Sequence, residues 1–276
     1  MVYKTFIRVL HHTAMPESSP AIARQPVWTA RPRAAAVHLG LSLLVAALAA
    51  ALVFSVWYPY PYSEISGGRE LFLLLVAVDV VIGPLITLVV FDPAKPRSVM
   101  RRDLLMVAVL QLAALGYGLW TVAVARPVHL VFEYGRFQVV HAIDVPVDLL
   151  PQAPPGLRSM PLWGPTPLSL RPFRDSNEKI QATIAALGGV ALGARPDLWQ
   201  DYHAAKPEVL KMARPVAELK RRFPTRTADI DAAVAATGRR AETLTTIPMI
   251  GRKSYWTVVL DSATAEVLAF IPLDSF

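Results

Sequence analysis

The sequence predicts a membrane protein: a three-helix transmembrane bundle followed by an α+β extracytoplasmic domain. Three observations carry this. Of 276 residues, 54% are hydrophobic, and the mean hydropathy is +0.39. The apolar residues concentrate between Ala34 and Ala125, in three runs each long enough to cross the ~30 Å hydrocarbon core as a helix. Beyond Arg126 the composition becomes ordinary, with alternating strand patterns at both ends of the segment and helical spacing between them.

Residues 1–33 are polar, with Pro16, Pro20, Pro26 and Pro32 and no sustained period, and read as a flexible cytoplasmic tail. Met15 offers a second start. Residues 34–56 form the first span, too long and too far from the start for a cleaved signal peptide. The run Trp57, Tyr58, Tyr60 and Tyr62, spaced by Pro59 and Pro61, is expected at the headgroup level as an aromatic belt, with partner contact as a second use.

The second span, 71–91, is the inner member of the bundle. It carries Asp79 near its middle and Gly83-Pro84 one turn later. A carboxylate facing lipid at that depth costs roughly 2.5–3.5 kcal/mol on insertion scales. Pro84 supplies no donor to the carbonyl of Val80, which must be satisfied inside the protein. Gly83 and Thr87 continue the Asp79 face as a small-residue seam. Asp79 lies roughly 12 Å from the outer end of its span at ~1.5 Å rise per residue. Tyr117, on the third span (104–125), matches that depth; Gln111 lies deeper. Tyr117 is therefore the expected first partner and Gln111 the second. A contact that locks helices together is favoured over partner recognition, and both over transport.

Lys and Arg gather in the tail and in the loop 92–103, which places both on the cytoplasmic side. The N-terminus is then cytoplasmic, and residues 126–276 are a periplasmic α+β domain on a bacterial inner membrane. In that domain His129–Tyr134 and Phe137–His141 flank Gly135-Arg136 as a β-hairpin. A proline-dense irregular loop follows over 144–174. Helices are expected over Ser176–Leu187, with Ser176 as N-cap, over Pro207–Arg222 with a break at Pro215, and over Thr227–Thr237. Strands Tyr255–Leu260 and Glu266–Ile271 close the chain, and the terminal hairpins should share one sheet.

Several function classes find no support. No cysteine is present, so disulfides and thiol chemistry are excluded. The histidines show no metal-ligand spacing, and no G-x-S-x-G surrounds a serine. Neither catalysis, a cofactor nor a metal is expected. The last domain carries 18 basic and 15 acidic residues, a net of +3, which is weak evidence for nucleic acid or any other polyanion.

The residues Trp57 to Tyr62, Gly67-Gly68, the stretch Asp79 to Leu85, Asp103-Leu104, Gln111, Tyr117-Gly118 and Arg126-Pro127 together resemble the type IV pilin accessory protein family. The match is strongest over residues 57–127. The resemblance implies a non-enzymatic inner-membrane protein that binds and stabilises a type IV pilin or assists its assembly. It also implies contacts to both the membrane helix and the periplasmic head of the pilin, as well as to the lipid bilayer. Self-association stays open. The rival readings are a membrane-anchored periplasmic sensor or ligand-binding protein, disfavoured by the small cytoplasmic part, and a transporter component.

Overall fold

The computed structural model describes residues 27–276; the expected tail lies outside the described residues up to position 26. Three helical rods, Thr29–Trp57, Gly68–Val90 and Arg97–Val124, are long and apolar enough to cross a membrane. The first is α1 (Val27–Leu52), continued by a wider π-helical turn over Val53–Trp57. It starts before the expected boundary at Ala34. Pro32 lies within it, in the second turn, where losing one backbone hydrogen bond interrupts little else. A short α2 (Tyr62–Ile65) precedes the second rod: α3 (Gly68–Ala77), a π-helical turn at Val78–Ile82, and α4 (Gly83–Val90). The third, α5 (Arg97–Val124), also starts early, because Arg97, Arg101 and Arg102 extend the helix into what was read as loop. Arg31 pairs with Asp92 at 3.6 Å and Lys95 with Asp103 at 2.8 Å, so the start of α1 and the α4–α5 turn meet at one end.

One eight-stranded sheet organises the remainder. Its strands are β1 (Pro127–Glu133), β2 (Arg136–His141), β3 (Thr166–Leu170), β4 (Trp199–Asp201), β5 (Arg214–Pro215), β6 (Leu244–Ile250), β7 (Tyr255–Asp261) and β8 (Val267–Ile271). The order is β4-β3-β1-β2-β6-β7-β8, with β5 on β6. The two expected hairpins share this sheet through the parallel pair β2–β6. The first hairpin turns at Tyr134-Gly135, one residue before the expected Gly135-Arg136; both residues take positive φ, 46° and 81°, which a two-residue hairpin turn with the strands' own twist requires. Two expectations need correction. The proline-rich 144–174 segment is not wholly irregular, since β3 pairs parallel with β1 inside it. Asp175, not Ser176, caps α6 (Ser176–Leu187), its carboxylate accepting from the Glu178 N–H at 2.8 Å.

Alternation along the strands builds two cores. Val258 and Leu260 face one layer with Phe137, Met249 and Val209 of α7 (Lys206–Met212). Val259 faces the other, under α8 (Val216–Arg222) and α9 (Thr227–Ala236) with Leu219 and Ile230. A third cluster packs Trp199, Val131 and Val140 on the β1–β2 side.

Candidate functional site

The second rod is the inner one, as its composition requires, with α1 and α5 packed on its two flanks. A groove opens between α1 and α5 along the face where the second rod forms its floor. Two connected hollows of about 540 and 210 Å³ mark it. His38, Leu41, Ala108 and Gln111 line both. Thr87 borders the larger and Asp79 the smaller.

Backbone geometry explains why these polar groups gather. In the wide π turn over Val78–Ile82, hydrogen bonds run from i to i+5, so the carbonyl of Asp79 looks toward residue 84. Residue 84 is a proline and has no N–H to give. The sequence reading expected Val80 to be the orphan; the wider turn leaves the Asp79 carbonyl without a backbone donor as well. Gln111 answers it, its Nε2 donating to Asp79 O at 3.4 Å. Gly83 makes room: a Cβ there would lie 1.9 Å from Gln111 Nε2. One turn on, His38 Nδ1 sits 2.5 Å from Thr87 Oγ1, joining α1 to α4.

Of the expected seam, then, Gly83 receives Gln111 and Thr87 receives His38, while Pro84 is buried against protein. What remains open is the Asp79 carboxyl. The residue is only 8% exposed, yet Oδ1 has no hydrogen-bond partner among the described residues, and it borders the groove. Tyr117 is not its partner. That side chain points away, 69% exposed, and its ring lies 5.8 Å from that of Trp120. Gln111, the expected second partner, reaches only the backbone carbonyl of Asp79, and His38 is a neighbour that depth counting missed.

The aromatic loop after α1 also departs from expectation. Tyr58 is fully buried, and its hydroxyl donates to the Val122 carbonyl at 3.2 Å. Its ring fills the space that a Cβ on Gly68 would need, 2.5 Å away. Burial pushes its phenol well above the usual range. Tyr62 lies in the C-terminal domain's core, edge-on to Phe270 at 5.8 Å. Only Tyr60 is largely exposed, near Trp256; Trp57 is half-buried against the bundle. The belt reading fails for Tyr58, which packs among the helices with Val53, Phe72 and Val122, and for Tyr62, which the sheet's core covers. They form a joint instead. Lys253 N–H donates to the Ile65 carbonyl at 3.0 Å, Gly164 N–H to that of Val56 at 2.8 Å, and Lys253 pairs with Glu70.

The comparisons with known proteins bear on the same elements. A family model described as fimbrial assembly protein FimB matches residues 26–67, which cover α1 and the joint loop. A fimbrial assembly protein of serogroup I from Dichelobacter nodosus is 33% identical over 242 residues, covering 87% of this chain and 94% of its own length. The chain belongs to the fimbrial assembly protein family. A serogroup E1 fimbrial assembly protein from the same organism is 31% identical over an equal span. A shorter one, of serogroups C1 and C2, is 42% identical over 117 residues, or 42% of this chain and 89% of its own. No solved structure matches the chain. For a fimbrial assembly protein, the resemblance carried by Asp79, Gly83-Pro84 and the tyrosine-proline run was thus a sound guide to the family. Of the groove's lining, that resemblance includes Asp79 and Gln111 but not His38.

Proposed function

We propose that this fimbrial assembly protein holds a type IV pilin at the membrane during pilus assembly, taking the pilin's membrane helix into the groove between α1 and α5. The observation that carries the reading is Asp79 Oδ1, buried beside the groove and without a donor among the described residues. A polar group in that condition costs free energy until something supplies a hydrogen bond. A partner helix with a hydroxyl, amide or amine at that depth would supply it. The pilin head would rest on the C-terminal domain, which the joint holds to the same bundle. Two linked contacts then exceed either alone. In this reading the bilayer is the bacterial inner membrane, with the α4–α5 turn cytoplasmic and the C-terminal domain periplasmic, as the loop charges favour. The protein acts by binding, not by catalysis.

Photo-crosslinking in cells tests this. A crosslinking residue at Leu41 or Ala108, in the groove, should capture pilin. One at Val89, exposed but outside the groove, should not. Equal capture from all three positions, or from none, rejects the groove.

A further inference from the structure

Sequence alone assigned the membrane-interface role to Trp57–Tyr62, but half of that run is buried. A different set of side chains occupies that level. Residues 161–164 are pinned between the ends of two rods. Gly164 N–H donates to the carbonyl of Val56, in the last turn of the first rod, at 2.8 Å. Arg126, two residues past α5, gives one guanidinium N–H to Ala123 O at 2.7 Å and another to Pro161 O at 3.2 Å. Between these ties stand Leu162 and Trp163, 69% and 72% exposed. On the same level, Ala142 N–H donates to Arg126 O at 2.9 Å, and the next residue, Ile143, is 63% exposed. Tyr60, between Val56 and α2, is exposed to a similar degree.

We infer that Leu162, Trp163, Ile143 and Tyr60 form a lipid-docking face of the C-terminal domain, seated in the headgroup–acyl boundary of the bilayer beside the ends of the first and third rods. The proposal is independent of the pilin reading. Exposed apolar clusters on a soluble surface mark interaction sites. Here the occupant follows from continuity: the cluster is hydrogen-bonded to the last residues of two membrane-crossing helices, so the surface it meets first is the one those helices emerge from. Tryptophan and tyrosine suit that layer, with an apolar body and one polar tip. Shallow seating of apolar side chains of this kind is how interfacial segments hold to membranes. The domain would then be fixed against the bilayer on its own account, besides being tied to the bundle through Tyr58 and Ile65.

The chain contains no cysteine, so one introduced cysteine labels a single place. Leu162→Cys and Ile143→Cys, each spin-labelled, are reconstituted as full-length protein in vesicles of phosphatidylethanolamine and phosphatidylglycerol. Val81→Cys, exposed and midway along the second rod, and Glu242→Cys, just before β6 at the end of that strand far from Ile250, serve as membrane and water references. Labels at 162 and 143 should collide with dissolved oxygen several-fold more, relative to a water-soluble nickel chelate, than the label at 242, and should report a depth shallower than that at 81. Accessibility equal to that of position 242 overturns the proposal. So does protection that arises only when pilin is added to the vesicles, which would make the face a protein-docking surface. Each variant is first checked for an unchanged gel-filtration profile in detergent; should one fail, the other carries the test.

Discussion

Ile65 and Gly251 meet so closely that a Cβ at position 251 would lie 2.0 Å from Ile65 Cγ1 and 3.0 Å from its carbonyl oxygen. One residue belongs to the connection between two membrane rods, the other to the turn between β6 and β7. The contact excludes every side chain except hydrogen at 251. Gly251→Ala should therefore force the joint apart, at the ~1–3 kcal/mol typical of overpacking. Thermal unfolding in detergent would read this as a lower midpoint. Gly116→Ala, where nothing lies within 4 Å, should leave the midpoint unchanged or raise it.

The phenol of Tyr58 offers a finer probe of the same joint. Tyr58→Phe keeps the ring against Gly68 but leaves the Val122 carbonyl without its donor. The expected loss is about 1 kcal/mol. Tyr58→Ala should cost about 3–5 kcal/mol, as for other buried aromatic truncations. Protease digestion should then cut the loop around Pro59 in the alanine variant and spare it in the phenylalanine one.

Asp79→Leu separates folding from partner binding. Because Oδ1 has no partner among the described residues, replacing the carboxyl with an apolar group of similar size removes an unpaired polar atom and should leave protein abundance unchanged. This reverses what position in the span alone suggests, namely a structural contact whose loss lowers abundance. Pilin capture and pilus number should fall with leucine and be kept in part with Asp79→Asn, whose amide oxygen still accepts. Immunoblots of both proteins beside pilus counts check it; loss of the protein itself with leucine would show that Asp79 serves the fold.

Acid should loosen the C-terminal domain through His129. The ring is buried, stacked edge-on to Trp199 at 4.5 Å, with Nδ1 2.7 Å from Thr166 Oγ1. Burial pushes its pKa from 6.5 down to about 4. A base with a depressed folded-state pKa takes up its proton more readily when unfolded. Its contribution is thus complete above pH 6.5 and is lost as the pH falls toward 4, by an amount on the order of 3 kcal/mol. Burial shifts His141 in the same direction. Urea midpoints of full-length protein at pH 7 and 4.5 should differ, and His129→Phe should narrow the difference.

Much of this architecture could be read from the chain because its signals are local. The three rods, the Tyr134-Gly135 hairpin and α6 each rest on spacing within a single segment. Gln111 was misjudged for a physical reason: depth along a helix says nothing about azimuth. Val107, Gln111, Gly118 and Val122 recur on one face of α5. Val107 and Val122 are buried there, and Leu75 Cδ1 lies 2.3 Å from where a Gly118 Cβ would stand. Tyr117 is one residue off that stripe, turned by about 100°. Helical spacing applied to the third span would have ranked Gln111 above Tyr117. The joint had no such signal. Nothing near Ile65 or Tyr62 announces Gly251 or Phe270, since the packing that joins them arises only when distant segments meet. Strand β6 was missed for a related reason: Pro248 interrupts its pattern, and its pairing with β7 makes it a strand.

Order of synthesis gives the joint a further consequence. Tyr62 and Ile65 leave the ribosome with the first rod, whereas Lys253, which pairs with Glu70, follows 183 residues after that partner. All three rods are complete before β1 exists. For most of its synthesis the nascent chain therefore carries an inserted bundle whose connecting loop displays a tyrosine and an isoleucine with nothing to cover them. Only the turn between β6 and β7, which carries Gly251 and Lys253, and strand β8, which carries Phe270, close it. A chain cut short before Gly251 would keep its groove and its place in the bilayer, yet present that uncovered loop to whatever proteases or chaperones patrol the membrane surface, so the joint doubles as a marker of whether the chain was finished.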